Sequence, residues 1–173
     1  MKKIINLFIA VIVISALPHT VKAQEYGKYA VGLQRGIWAL YGPSASIDIN
    51  RRIGFQTVVG IIPANKETNA NLGIFERILY RPITYKTNSL YLVGMFGASH
   101  WHYIGPAGGN IVEAYEWGTN AGIMGGAEFD LRMLMKKFIP IFVNIEGGIE
   151  HRQTKYTTSS TYPTYGFGIH YRF

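Results

Sequence analysis

The sequence contains no cysteine. A disulfide framework and a lipid anchor on cysteine are therefore both excluded. After residue 23 there is no run of 18 apolar residues, so if the rest of the chain works in a membrane it does not cross it as helices. Runs of like charge are also scarce, and none is longer than Arg51-Arg52 or Lys136-Lys137. Nucleic-acid binding therefore has little support.

The first 23 residues have the composition of a secretory signal peptide. Lys2 and Lys3 precede an apolar run, residues 4–16, and Val21-Lys22-Ala23 places compact residues at the positions that signal peptidase recognises. The run is shorter than the roughly 18 to 20 residues of a spanning helix. We therefore expect cleavage before Gln24, with a retained N-terminal anchor as the alternative.

Residues 24–173 have the length of one domain. Three of the 17 basic residues lie in the leader and all 10 acidic residues follow it, which leaves a formal charge of +4 on 150 residues. This basic excess is mild.

Apolar and polar residues alternate along the whole of residues 24–173. In the last stretch, residues 165–173, every odd position is large and apolar and every even position is glycine, His170 or Arg172. A period of two predicts a strand with one apolar face. Seven earlier segments show the same period, and Asn50-Arg51-Arg52 forms a turn between two of them. The chain is therefore predicted to be all-β, with eight antiparallel strands near residues 29–35, 44–50, 53–61, 72–81, 89–103, 115–131, 141–150 and 165–173.

The connections alternate in length. Those after the second, fourth and sixth strands are short or compact, whereas long polar or glycine-rich loops are predicted near residues 63–71, 105–110 and 152–163. The hairpin between the fifth and sixth strands is predicted to fold about Gly109. That register places Trp101 opposite Trp117 and His102 opposite Glu116.

The two faces of these strands differ in chemistry. One carries Tyr, Val, Ile, Phe and Trp, and the other carries glycine and short polar or charged side chains. A water-soluble barrel would point its charges outward, but a glycine-rich polar face suits the crowded interior of a small barrel. The pattern favours an eight-stranded up-and-down transmembrane β-barrel; a soluble periplasmic barrel or sandwich is the alternative. Interfacial aromatic girdles are predicted from Trp101, Tyr103, Tyr115 and Trp117 at one level and from Tyr80, Phe129, Phe138 and Phe173 at the other.

Charged residues on the inward face require partners. Arg35 and one of Arg77 or Arg81 are expected to supply further positive charge. Glu76 and Arg77 adjoin and must face opposite ways, so one of them is expected near a strand end or a bulge. The predicted polar network of the lumen comprises Asp48, Glu128, Asp130, Glu146, His170 and Arg172.

This pattern resembles the small eight-stranded outer-membrane barrels of the OmpA/OmpX type, without a periplasmic peptidoglycan-binding domain. The resemblance covers nearly all of residues 24–173, and its most specific element is the motif Tyr171-x-Phe173. It implies the outer membrane of a Gram-negative cell, contact with outer-membrane lipid, recognition of Tyr171 and Phe173 by the barrel-assembly machinery, and a monomer. The family hosts adhesins, structural proteins and enzymes, so the fold does not settle the function.

The strongest catalytic candidate is Ser99-His100-Trp101-His102 with Glu113 or Glu116, because some barrels of this size modify lipid A with a Ser/His/acid set. The alternation predicts that Ser99 faces outward and both histidines inward, which separates a nucleophile from its base. The His-x-Ser-Asn motif of those enzymes is also absent. We therefore assign no catalytic residue and do not expect an enzyme.

A metal site is conceivable at His100, His102 and Glu116, since a His-x-His pair and a cross-strand carboxylate can share one ion. A neutral hydrogen-bonded cluster above the lumen is the favoured interpretation, and no cofactor is assigned. The predicted function is a structural or surface-interaction role, with a plugged lumen that is not a general porin. The alternatives are a lipid-modifying or metal-dependent enzyme at the rim and a soluble lipocalin-like binder.

Overall fold

The computed structural model describes residues 27–36, 41–62, 71–85, 87–107, 110–133, 140–154 and 159–173. The predicted signal peptide lies outside these ranges. One turn of 3-10 helix, Leu131–Met133, follows the sixth strand. The eight strands are β1 (Tyr29–Gly36), β2 (Tyr41–Asp48), β3 (Ile53–Ile62), β4 (Asn71–Thr84), β5 (Asn88–Ala107), β6 (Asn110–Asp130), β7 (Ile141–Thr154) and β8 (Ser160–Arg172).

The sheet closes on itself. Each strand pairs antiparallel with its neighbour in sequence, and β1 pairs with β8 from Ala30 opposite Arg172 to Gly36 opposite Gly166. At the closing seam the Phe173 amide donates to the Tyr29 carbonyl at 2.8 Å, and the Tyr29 amide donates to the Phe173 carbonyl at 3.1 Å. The predicted eight-stranded up-and-down barrel is confirmed, and β8 pairs with the two strands predicted for it.

The apolar face of the strands is the outer face. Leu33 is 65% exposed, Ile123 66% and Tyr165 61%, while polar side chains such as Gln34 and Asn120 are buried inside. Inward glycines such as Gly168 leave room for the larger inward side chains, because eight strands enclose a narrow lumen. This barrel therefore has the reverse polarity of a water-soluble one.

The β5–β6 hairpin differs from its prediction. The strands extend to Ala107 and from Asn110, so most of the segment predicted as a loop at residues 105–110 is strand. The register is also displaced by one residue, with His100 opposite Trp117 and Trp101 opposite Glu116. A one-residue displacement reverses the facing of a strand relative to its partner.

Glu76 and Arg77 also differ from their prediction. Both lie in the middle of β4. The irregularity in the β4–β5 register lies nearer the end of β4, between Tyr80 and Ile83. Pro82 lies at this irregularity, where its missing amide hydrogen leaves the ladder unpaired. Among the residues described, no helix is long and apolar enough to cross a membrane.

Candidate functional sites: the polar lumen and the projecting hairpin

The end of the lumen nearest Gly27 and Phe173, here called the lower lumen, holds two arginines and two carboxylates. Arg81 Nη1 donates to Asp48 Oδ1 at 2.8 Å, and Arg172 Nη2 donates to Glu128 Oε2 at 3.0 Å. Cross-contacts of 3.8 Å from Arg81 to Glu128 and 3.7 Å from Arg172 to Asp48 join the two pairs. The four charges sum to zero, which is how buried charges are tolerated in a low dielectric. The aromatic ring of Phe142 packs against this cluster, 4.2 Å from the Arg172 guanidinium carbon.

Glu146 is the centre of the middle layer. It forms a short ion pair with Arg77, and it also accepts hydrogen bonds from Gln34 Nε2 and the Tyr91 hydroxyl, both at 3.0 Å. Asn144 Nδ2 donates to the Tyr91 oxygen at 2.8 Å. The carboxylate is therefore held by one cation and two neutral donors from β1, β4 and β5.

His170 links this layer to β2 and β3. Its Nε2 lies 2.9 Å from Ser44 Oγ and 2.9 Å from Gln56 Nε2, and Gln56 in turn accepts from Arg77 Nη1 at 2.6 Å. Seven strands thus contribute to one connected set of hydrogen bonds, with Asp130 set apart. The Asp130 carboxylate accepts from the backbone and guanidinium of Arg132 in the helical turn.

The other side of the lumen is apolar. A small gap of about 30 Å³ is lined by polar residues, among them Gln34, Arg77 and Glu146, and by apolar residues, among them Phe75 and Met124. Such a gap has room for about one water molecule. The buried apolar cluster beside it consists of Val58, Phe75, Leu79, Tyr91, Val93, Met95 and Met124.

The structure places the predicted arginines differently. Arg77 and Arg81 both point into the lumen, and neither is more than 2% exposed. Arg35 lies on the outer face, with its guanidinium carbon 5.6 Å from the Phe167 ring centroid. The prediction of Arg35 as a lumen cation is therefore wrong, because position 35 shares its parity with Leu33.

Glu76 also faces outward. Its two carboxylate oxygens lie 3.1 and 2.9 Å from the Thr57 hydroxyl, which donates to them from the neighbouring strand β3. The nearest residues of β4 on the same outer face, Ile74 and Ile78, are apolar and exposed. A carboxylate therefore lies within the apolar outer face.

The upper parts of β5 and β6 form a projecting hairpin. The last pair of β4 with β5 involves His100, and the first pair of β6 with β7 involves Gly118. Beyond these positions, residues 101–107 pair with residues 110–116 and with no other strand in the part of the chain that the structure describes. At about 3.3 Å per residue, this two-stranded ribbon extends roughly 20 Å beyond the barrel wall.

Aromatic contacts lie at the base of this hairpin. The His100 ring stacks on Tyr115, with centroids 5.8 Å apart, and meets Trp117 edge-on at 4.9 Å. Tyr115 also donates to Glu113 at 3.0 Å, and this hydrogen bond raises the pKa of the Tyr115 hydroxyl. The indole of Trp117 is exposed beside them.

The facing predicted for the catalytic candidates is wrong. Ser99 is buried inside the barrel, whereas His100 lies on the outer face with Tyr115 and Trp117. The displaced register is the cause. Glu116 occupies the opposite face of β6 from Trp117, so it does not converge with His100, and the side chain of His102 lies outside the described residues. In the ranges that the structure describes, no three His, Asp or Glu side chains are grouped closely enough for a metal ion.

Tyr171 and Phe173 lie on the outer face of the closing seam. The Phe173 ring is 5.8 Å from Tyr171 and 6.1 Å from Tyr29 on β1. Tyr80 and Phe173 are exposed near the end of the barrel where Gly27 and Phe173 lie, and Tyr115 and Trp117 are exposed near the other end. The side chains of Trp101 and Tyr103, and all of Phe138, lie outside the described residues.

Two solved structures are similar to this fold. The N-terminal β-barrel domain of Pseudomonas aeruginosa OprF has a TM-score of 0.47 and 12% identity, over 85% of this chain and 100% of that chain. Neisserial surface protein A, NspA, has a TM-score of 0.48 and 14% identity, over 84% of this chain and 93% of that chain. No protein-family model matches the chain, and no curated protein is significantly similar to it in sequence. The closed strand order itself establishes the fold.

Several lumen residues were absent from the predicted network. Gln34, Gln56, Tyr91 and Asn144 all hydrogen-bond within the lumen. The parity of their strands indicates inward facing for the two glutamines and for Asn144. Tyr91 lay in the run Leu90–Val93, where four consecutive apolar residues hide the period.

Proposed function

We propose that this protein is a bacterial outer-membrane β-barrel with a structural or surface-interaction role, whose lumen is filled and does not conduct ions. The reversed polarity of the barrel carries the proposal. A continuous outer belt of exposed Ile, Leu, Val, Phe and Tyr side chains surrounds all eight strands, while the buried ion pairs lie inside.

Water does not accommodate such a surface. Exposed apolar patches on soluble monomers rarely exceed a few hundred Å², and this belt encircles the molecule. In a bilayer the same belt needs no cover, and closure of the sheet leaves no unpaired strand edge in the hydrocarbon. Aromatic residues near both ends fit the two membrane interfaces.

Membrane fractionation with heat-modifiable gel mobility tests the proposal. We expect recovery in the outer-membrane fraction, extraction only by detergent, and a faster-migrating folded band that shifts on boiling. Recovery in the soluble periplasmic fraction without detergent would instead support the lipocalin-like alternative.

The surface-interaction role is assigned to the projecting hairpin of residues 101–116. It extends beyond the barrel wall and presents His100, Tyr115 and Trp117 at its base. Chymotrypsin added to intact cells should cut this hairpin while the barrel remains resistant. Cleavage only after the cells are ruptured would place the hairpin on the periplasmic side and contradict the role.

No catalytic step is included in this proposal. Ser99 and His100 point to opposite sides of β5, so neither can activate the other. Glu116 faces away from His100, which weakens the metal-dependent alternative in the same way.

A further inference from the structure

We propose that copies of this barrel associate side by side in the membrane through an ion pair between Arg35 on β1 of one copy and Glu76 on β4 of the next. The inference rests on the proposed membrane location. It departs from the monomer that the sequence predicts.

The first observation is the setting of Glu76. Its carboxylate accepts one hydrogen bond, shared between its two oxygens, from the hydroxyl of Thr57, although two carboxylate oxygens can accept about four. Phe96 lies directly across the strand pair on β5, and Ile74 and Ile78 flank Glu76 along β4. An ionisable group in such apolar surroundings indicates a functional site, with a partner to be identified.

The second observation is a matching cation. Arg35 is exposed on the outer face beside Leu33 and Phe167. In the strands that the structure describes, Arg35 and Glu76 are the only Lys, Arg, Asp or Glu residues on the outer face below the projecting hairpin. They carry opposite charges.

The third observation is that both residues lie at one depth. The register joins Val31, Ala45, Thr57 and Glu76 in a row across four strands. Continued around the barrel, this row reaches Thr161 on β8, whereas Val31 itself pairs with Tyr171.

After one circuit of the barrel the row therefore returns ten residues nearer the hairpin end, which is the separation of Thr161 and Tyr171 on β8. From β1 to β4 the row crosses three of the eight strands, so it rises by three eighths of this amount, which is close to four residues. The residue of β1 at the same depth along the barrel axis as Glu76 is therefore four residues after Val31. That residue is Arg35.

Equal depth is the condition for contact between copies. Barrels inserted by one route share one orientation, so side-by-side contacts join residues at the same level of the bilayer. Within one barrel Arg35 and Glu76 are three strands apart, whereas between two copies they can meet. The low dielectric around them strengthens the attraction.

A second copy fits Glu76 better than a lipid headgroup does. Headgroup charges lie at the membrane interface, and Glu76 lies in the middle of its strand among apolar neighbours. Because the contact uses two different faces, it is heterologous and continues into rows or rings in the membrane plane.

The absence of cysteine makes a cross-linking test clean. Leu33→Cys and Ile78→Cys place thiols two residues from Arg35 and Glu76, on the side facing away from the hairpin. Oxidation of native outer membranes carrying both substitutions in one chain should give a ladder of disulfide-linked species. Either cysteine alone should give none, and Leu33→Cys with Ile123→Cys on β6 is the off-face control.

Charge variants then test the pair itself. Glu76→Gln or Arg35→Gln should reduce the ladder at least about tenfold, and the exchanged pair Arg35→Glu with Glu76→Arg should restore it. An absent ladder, a ladder unchanged by Glu76→Gln, or an equal yield from the Ile123→Cys control would overturn the inference.

Barrel assembly is measured separately in every variant. Outer-membrane recovery and heat-modifiable mobility report the proposed membrane barrel, and the ladder reports self-association. A chain that assembles without a ladder disproves only the contact between copies, whereas absence of the parent protein from the outer membrane disproves the proposed function.

Discussion

Glu146 shows how one carboxylate organises the lumen. It accepts from Arg77, Gln34 and Tyr91, and both members of its ion pair are buried. Glu146→Leu leaves the Arg77 guanidinium buried without its carboxylate, so we expect a loss of about 3–5 kcal/mol in the free energy of unfolding. Urea unfolding of the barrel in lipid vesicles, followed by tryptophan fluorescence, measures it.

Two variants serve as controls for Glu146→Leu. The double variant Arg77→Met, Glu146→Leu removes both charges and should lose less than the sum of the single losses. Arg51→Ala, in an exposed turn, should leave the unfolding midpoint unchanged. A single variant within about 1 kcal/mol of the parent protein would show that the ion pair does not hold the lumen together.

Gly168 leaves the space in which the polar side chains of the lumen meet. A methyl group there would overlap Gln34 Oε1 and Asn144 Oδ1, whereas one at Gly94 on the outer face meets no atom within 4 Å. We expect Gly168→Ala to cost about 1–3 kcal/mol by overpacking and Gly94→Ala to be nearly neutral in the same unfolding assay. Equal stability of the two variants would contradict the tight fit at Gly168.

At the scale of the element, the closing strand depends on its last aromatic residue. Phe173 pairs with Tyr29 through two backbone hydrogen bonds and packs its ring against Tyr29 and Tyr171. Phe173→Asp places a charge on the outer face of this seam. We therefore expect much less assembled barrel in outer membranes, measured as the heat-modifiable band.

A matched substitution separates the seam from a general effect of charge. Tyr115→Asp introduces the same group at the base of the projecting hairpin, away from the seam, and should leave the amount of assembled barrel close to that of the parent. Normal assembly of Phe173→Asp would argue against a role of this residue in closure and delivery.

The strands themselves were predictable, and the β5–β6 register was not. Alternation fixes each strand because only one face of it is apolar. Near the hairpin both faces of β5 carry an aromatic or histidine residue, as in His100-Trp101-His102, so the pattern does not distinguish two registers that differ by one residue. Because the register was predicted wrongly, the directions in which Ser99 and His100 face were also predicted wrongly.

The charges on the outer face were also difficult to predict. Parity alone assigns Glu76 and Arg35 to the outer face, but a charge in lipid is costly, and the prediction therefore moved Glu76 or Arg77 toward a strand end and Arg35 into the lumen. The lumen network was partly visible, because inward carboxylates demand cations. The neutral residues of the network, such as Gln34 and Asn144, do not require an oppositely charged partner, and the sequence therefore did not reveal them.

For the whole molecule, the proposed filled lumen predicts that the barrel does not conduct ions. Ion pairs span the lower lumen, Glu146 and Arg77 span the middle, and the gap beside them holds about 30 Å³. We expect no stable channels when purified barrel is added to planar bilayers. Sustained steps of ohmic current that vary with the amount of folded protein would show that the network opens.

The seam between β1 and β8 has a consequence for biogenesis. Strand β1 forms at the start of the barrel, but one of its edges has no partner until β8 is delivered. Until then the chain carries two open strand edges and an apolar belt, the features that drive aggregation in water. Closure of the seam removes both open edges at once, so the last pairing step also ends the exposure of strand edges to aggregation.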